Sequence, residues 1–199
     1  MPPPDCFVID DLLASEQQLE IYQYLRNGAW AFGWKSARKR DQFMFWHRHF
    51  AGHRNVDKEA PYACEEELKT SAPLVHAVWL LLAQDVLAGR TLIRCYANAH
   101  TYGSDGTLHT DSKSPTCQTA IYYSHPGWRP DWAGETLVFD AEQTDIVAAI
   151  HPKPNRLAVF RGCLPHVARG VSRTCPELRV TLMFKVDDDP REPPSLPDA

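Results

Sequence analysis

The stretch Arg179-Val180-Thr181-Leu182-Met183-Phe184-Lys185-Val186 reads as a single strand. Successive strand side chains point to opposite faces, so Arg179 and Thr181 share one side while Val180, Leu182 and Phe184 share the other. It is the last of six short β-like runs, after 92–96, 117–123, 136–139, 146–150 and 157–160. Six such runs separated by turn residues predict a mainly β fold, a sandwich or barrel of antiparallel strands.

Upstream of residue 91 the pattern is different. Phe7-Val8-Ile9 reads as an opening strand, and Ser15 with Gln18 three residues later has the spacing of a capping box for a helix that stops at Gly28. Leu19, Tyr22 and Leu25 are expected to face its core side. A second helix should start at Ser71 or Ala72 with Pro73 in its first turn, run through Leu74, Val78, Leu81, Leu82 and Val86, and end at Gly89. These helices would brace one outer face. The expected organisation is one domain over 1–199: helical support and pocket elements in 1–90, a β core in 91–187, and a flexible acidic, proline-rich tail in 188–199.

Composition narrows the setting. In 199 residues, 21 Lys and Arg face 25 Asp and Glu, a formal charge of −4. The cluster Lys35-Ser36-Ala37-Arg38-Lys39-Arg40 reads as a solvated loop, and the balance of charge argues against a nucleic-acid partner. The six cysteines form no CxxC pair, so reduced thiols in a reducing cytoplasm are expected. No run of about 18 apolar residues occurs, and Met1-Pro2-Pro3-Pro4-Asp5-Cys6 does not look like a signal peptide. The expectation is a cytoplasmic protein with no membrane partner, its oligomeric state unreadable.

The chemistry lies in Thr107-Leu108-His109-Thr110-Asp111 and Pro165-His166-Val167. On a strand, His109 and Asp111 would point to the same side and Thr110 away. With His166 brought across by closure of the sheet, two imidazoles and a carboxylate could cap one face of a non-haem iron and leave positions open. An HxD tripeptide and a distant histidine are common by themselves, and each could be an ordinary packing residue.

Together with Arg94-Cys95-Tyr96, Ile121-Tyr122-Tyr123, Gly134-Glu135-Thr136-Leu137, Asn155-Arg156-Leu157 and Arg179-Val180-Thr181, the order of these motifs resembles the Fe(II)/2-oxoglutarate-dependent oxygenases, in particular the prolyl 4-hydroxylase-like branch. The resemblance covers roughly 91–187. It implies a double-stranded β-helix (a jelly roll, cupin-like), with His109, Asp111 and His166 as the catalytic iron ligands. It further implies Fe(II) with 2-oxoglutarate and O2 as co-substrates, and ascorbate as a possible reductant. Arg179 matches the basic residue that pairs with the far carboxylate of 2-oxoglutarate, with Thr181 adding a hydroxyl from the same face. Arg179 lies farther beyond the distal histidine than is usual, which leaves Arg169 and Arg173 as rivals. Tyr96 and Tyr123 match the family's co-substrate-contacting tyrosines, and Asn98 could offer an amide to the same ligand. The intact carboxylate at Asp111 points to hydroxylation, or a variant such as desaturation, where related halogenases carry a small residue.

Substrate identity should be written in the N-terminal aromatic segment, where Phe43, Phe45 and His47 would alternate with Met44, Trp46 and Arg48 on a strand. Trp46, His47, His49 and Tyr102 are the candidate pocket residues. The loop 98–106 could form a lid, and Trp128 and Trp132 a rim. His47 and His49 also make an HxH, so a cupin-like metal enzyme that does not use 2-oxoglutarate stays open, as does a non-catalytic binding module. The leading expectation is a hydroxylase acting on a small metabolite or a peptidyl side chain.

Overall fold

In the computed structural model, which describes residues 5–37, 41–54 and 61–188, short strands dominate. In chain order the elements are β1 (Cys6–Ile9), α1 (Ser15–Arg26), β2 (Ala31–Trp34), β3 (Phe45–Gly52), α2 (Glu65–Ser71), α3 (Pro73–Gln84), β4 (Thr91–His100), β5 (Gln118–Tyr123), β6 (Thr136–Phe139), β7 (Ile146–Ile150), β8 (Arg156–Arg161), β9 (His166–Ala168) and β10 (Arg179–Asp187). The strands form a seven-stranded sheet in the order β1-β8-β5-β10-β4-β3-β2 and a three-stranded sheet β7-β6-β9. All the ladders are antiparallel. This is the jelly-roll architecture, mainly β and braced by helices. The large sheet takes β1, β2 and β3 from the region before residue 91.

Strand β10 lies at the centre of the large sheet, between β4 and β5. Both of its faces are buried, in two different clusters. Val180, Leu182, Phe184 and Val186 pack with Cys95, Ala97 and Ala99 of β4 against the helices, through Ile21, Leu25, Leu68, Val78, Trp79 and Leu82. Met183 packs on the opposite side with Tyr96, Ile121, Tyr123 and Phe160, between the two sheets. The parity of the strand therefore assigns Arg179, Thr181 and Lys185 to the inter-sheet side as well.

Helix α3 buries Val75, Val78, Trp79 and Leu82, one stripe at helical spacing, and begins with Pro73. Leu81, expected in that stripe, is exposed. Helix α1 occupies the expected span, but its capping box does not form. Ser15 is already helical and Ala14 holds the cap position without a side-chain bond, so the Ser15 hydroxyl sits one residue too far along. Gln18 Nε2 donates instead to the carbonyl of His125 at 2.8 Å. The buried residues of α1 are Ile21 and Leu25, and Leu19 faces outward. Helix α2, with Glu65, Glu66 and Glu67 in its first turn, has no counterpart in the sequence expectations.

All six cysteines are free. No helix among the described residues is long and apolar enough to cross a membrane. Residues 38–40 of the basic cluster and 189–199 of the tail lie outside the described residues.

Candidate active site

His166 opens β9, and His109 faces it in an antiparallel bridge. The His109 N–H donates to His166 O at 3.1 Å, and the His166 N–H returns to His109 O at 2.9 Å. Asp111 N–H donates to Gly162 O at 2.8 Å, which anchors the carboxylate beside the pair. The HxD segment is held by these bonds, outside any of the ladders. The nitrogen and oxygen atoms that His109, Asp111 and His166 can offer lie within 4.8 Å of one another. His166 Nε2 is 3.3 Å from Asp111 Oδ2, and His109 Nε2 is 3.6 Å from Oδ1.

Both imidazoles are oriented from behind. His109 Nδ1 pairs with Thr107 O at 2.7 Å and His166 Nδ1 with Leu164 O at 2.9 Å. A carbonyl can only accept, so each Nδ1 carries a proton and each Nε2 is the nitrogen turned toward Asp111, the atom each ring would offer a metal. Such outer bonds hold a ligand histidine in the correct tautomer and orientation. Thr119 Oγ1 donates to Asp111 Oδ2 at 2.6 Å, and Lys185 Nζ is in ion-pair contact with Oδ1. Burial alone would raise the Asp111 carboxyl; Lys185 and His166 beside it hold it well below the usual carboxylate range. Burial would likewise lower the Lys185 ammonium, and Asp111 outweighs it, leaving that group raised.

A cavity of about 520 Å³ opens over this cluster. Arg179 and Thr181 line it, and both are nearly fully buried. Arg179 donates through Nε to Gly134 O and through Nη2 to Thr136 Oγ1 at 2.9 Å, and it lies over the Tyr123 ring. Tyr123 OH and Thr136 Oγ1 are 2.8 Å apart. Arg169 is exposed, Arg173 donates to the exposed Tyr102 hydroxyl at 3.3 Å, and neither lines the cavity. Of the three candidate arginines, Arg179 alone occupies the site. Tyr96 and Asn98 line the cavity from β4, while Tyr123 stands behind Arg179 and is not part of the lining.

The expected pocket residues do not gather there. Trp46 is exposed and packs on Phe32, ring centroids 4.9 Å apart, because β3 turns that face outward. His47 is sandwiched between Trp34, at 3.8 Å, and Tyr96, with its Nδ1 paired to Asn98 Oδ1 at 2.8 Å. His47 and His49 are both outside the cavity lining, and burial lowers each imidazole to about 4. Among the described residues only His109, Asp111 and His166 form a metal-type cluster, so the HxH does not assemble a second one. Tyr102 is exposed and away from the cavity. Trp128 and Trp132 do not line it either; Trp128 Nε1 donates to Ala133 O at 2.9 Å, and its ring lies tilted against that of His125.

Arg94 and Lys185 belong to the site although neither is among the candidates from sequence. The alternation of β10 already puts Lys185 on the Arg179 face. Alternation along β4 likewise puts Arg94 on the face of Tyr96 and Asn98, and only its pairing with Lys185 needs the cross-strand register.

No protein-family model matches the sequence, and no curated protein matches it. Solved structures do. A prolyl hydroxylase from Trichoplax adhaerens, in complex with a hypoxia-inducible-factor oxygen-degradation-domain peptide fragment, is similar over 94% of this chain and 84% of its own, with a TM-score of 0.62 and 18% identity. A 2-oxoglutarate-Fe(II) oxygenase-family oxidoreductase from Burkholderia pseudomallei aligns over 94% of this chain and 87% of its own, with a TM-score of 0.71 and 13% identity. HygX from Streptomyces hygroscopicus, with nickel and 2-oxoglutarate bound, aligns over 92% and 82%, with a TM-score of 0.61 and 12% identity. At these identities the likeness is one of fold.

Proposed function

We propose that this chain is an Fe(II)- and 2-oxoglutarate-dependent dioxygenase that hydroxylates a C–H bond of a small metabolite or a peptidyl side chain. The observation that carries the proposal is the convergence of the His109, Asp111 and His166 donor atoms within 4.8 Å, both histidines presenting Nε2, in a cavity that also holds buried Arg179. Two imidazoles and one carboxylate are the donor set suited to a non-haem iron(II) that keeps open positions. When bound, iron(II) with 2-oxoglutarate supplies the oxygen-activating chemistry, and the co-substrate leaves as succinate and carbon dioxide.

The chain's own residues divide the remaining work. His109, Asp111 and His166 are the ligands, held by Thr107 O, Leu164 O and the Thr119 hydroxyl. Arg179 binds the far carboxylate of 2-oxoglutarate, with Thr181 and Tyr96 on the same wall. Tyr123 and Thr136 fix the guanidinium from behind. Asn98 is shared with His47 and contributes an amide to the cavity rim. The peptidyl option rests on the peptide-bound prolyl hydroxylase of the same fold. Residues 1–199 would act as one oxygenase domain, with 91–187 as its core.

The test is anaerobic loading with Fe(II) and 2-oxoglutarate, followed by O2 and ascorbate, with succinate as the readout. Slow release without added substrate, lost in His166→Ala, is the expected result. Iron binding without any 2-oxoglutarate turnover would leave a binding module in place of an enzyme.

A further inference from the structure

Arg94 is buried, and its Nε and Nη2 have no hydrogen-bond partner among the described residues. Its guanidinium lies over the rings of Tyr96 and Trp34, at 4.6 Å and 5.5 Å from their centroids. These contacts hold the plane of the group while leaving its hydrogen-bonding edge unanswered, and a buried cation is retained at a cost unless an anion meets it. Across the β4–β10 ladder Arg94 is the register partner of Lys185, and both side chains line the cavity. The anion that Lys185 meets is Asp111, which the iron reading assigns to the metal.

At the other end of the same two strands, Arg179 pairs in register with His100, and both line the cavity too. Lys185 lies six positions beyond Arg179 on β10, a span of roughly 20 Å. The cavity thus has a cationic group at each end with the His109, Asp111 and His166 cluster in its wall. Among its described lining residues are six cationic side chains, Lys35, Arg54, Arg94, Lys113, Arg179 and Lys185, and one carboxylate, Asp111. Iron(II) would add two positive charges, and 2-oxoglutarate two negative ones, so the excess of positive charge remains.

We propose that the substrate carries an oxyanion, a carboxylate or a phosphate, held by Arg94 and Lys185 at the end of the cavity remote from Arg179. This rests on the oxygenase reading of the site and names the substrate class for it. The paired cations anchor the acidic group and leave the rest of the molecule to extend past the metal cluster, so the C–H bond attacked lies on the body of the substrate away from that group.

The full chain loaded with Mn(II) and saturated with 2-oxoglutarate is titrated by calorimetry with propionate, propyl phosphate and, as the neutral match, propionamide. One of the two anions should bind and the amide should not, and which anion binds more tightly identifies the head group. Arg94→Met should weaken that binding about tenfold or more, the loss expected for a charge-assisted contact, while Arg94→Lys recovers part of it. Lys185→Met is the second variant, with circular dichroism of each to show that the fold stands. Equal anion affinity in wild type, Arg94→Met and Lys185→Met overturns the proposal, as does an anion that binds only by displacing 2-oxoglutarate, or amide binding equal to that of the anions. Failure of the Mn(II)-loaded wild type to take up 2-oxoglutarate would instead overturn the oxygenase reading, and it is read in a separate titration before any probe is added.

Discussion

Lys185 Nζ is in ion-pair contact with Asp111 Oδ1, and both side chains are almost wholly buried. Without metal, the ammonium is the main compensation for a carboxylate that the fold has taken out of water. Removing one partner of a buried pair typically costs about 3–5 kcal/mol, because the other charge is left uncompensated. Lys185→Met should therefore destabilise the metal-free protein by about 3 kcal/mol, and Mn(II) should restore most of that loss by neutralising Asp111. The check is thermal unfolding with and without metal. A metal-induced rise in Tm no larger in Lys185→Met than in wild type would show that the lysine does not compensate Asp111.

Gly134 controls the seat of Arg179. Its φ is +85°, a region that L side chains rarely adopt, and a methyl group built on it would come 3.0 Å from Arg179 Cδ. Its carbonyl also accepts from Arg179 Nε. Gly134→Ala should strain the turn and displace the guanidinium, raising the 2-oxoglutarate concentration needed for half-maximal succinate release about tenfold while iron still binds. Arg179→Lys keeps the charge and loses the planar fork, so it should also weaken 2-oxoglutarate by about tenfold or more. Unchanged 2-oxoglutarate dependence in both variants would remove Arg179 from the co-substrate site.

How far the sequence could be read depended on whether a feature is local. The alternation of 179–186 carried the strand, its two faces and the position of Arg179, because strand parity is local. His109, Asp111 and His166 were legible as residue types, and their meeting depends on the His109–His166 backbone bridge, which no spacing reveals. The aromatic segment misled because alternation says which residues share a face and not which face points to the cavity: β3 turns Trp46 outward and packs His47 between Trp34 and Tyr96. The Ser15-Gln18 spacing suggested a capping box, while the helix starts one residue too early for it and Gln18 bonds His125 O. Arg94 and Lys185 meet through a long-range register, so only the assembled sheet displays them as a pair.

Asn155 ties the N-terminal segment to the sheet. It has φ +57°, and its buried side chain accepts from Leu13 N–H at 3.0 Å and Tyr122 OH at 2.9 Å while donating to Leu13 O at 2.7 Å. Asn155→Ala removes all three bonds and keeps the left-handed backbone, so a loss of about 3 kcal/mol in urea unfolding is expected. Relative to wild type at the same pH, Asn155→Asp should be worse at neutral pH than at pH 4, because a carboxylate has no proton to offer Leu13 O. A deficit of Asn155→Asp against wild type that is the same at both values would mean that the donated bond contributes nothing.

Acid should destabilise the fold before its carboxylates titrate. His100 is lowered to about 4 by burial and by Arg179, and His125 to about 3 by burial and by Arg179. In the unfolded chain both return to about 6.5. Between those values the unfolded state binds more protons than the folded one, so the stability these groups contribute is complete above about pH 6.5 and falls with pH toward 4 and 3. At pH 5 each group should already have cost the native state about 2 kcal/mol relative to pH 7. Ordinary carboxylates, with values near 4, contribute little to that difference. Urea unfolding of the metal-free protein at pH 7 and pH 5 reads the effect directly. His100→Asn replaces a titrating ring with a neutral amide that can still donate to Ser104 O, the present partner of His100 Nδ1 at 2.9 Å. This variant should therefore lose less stability between pH 7 and pH 5 than wild type does, whatever its stability at pH 7; an equal loss would show that His100 is not one of the groups resisting protonation.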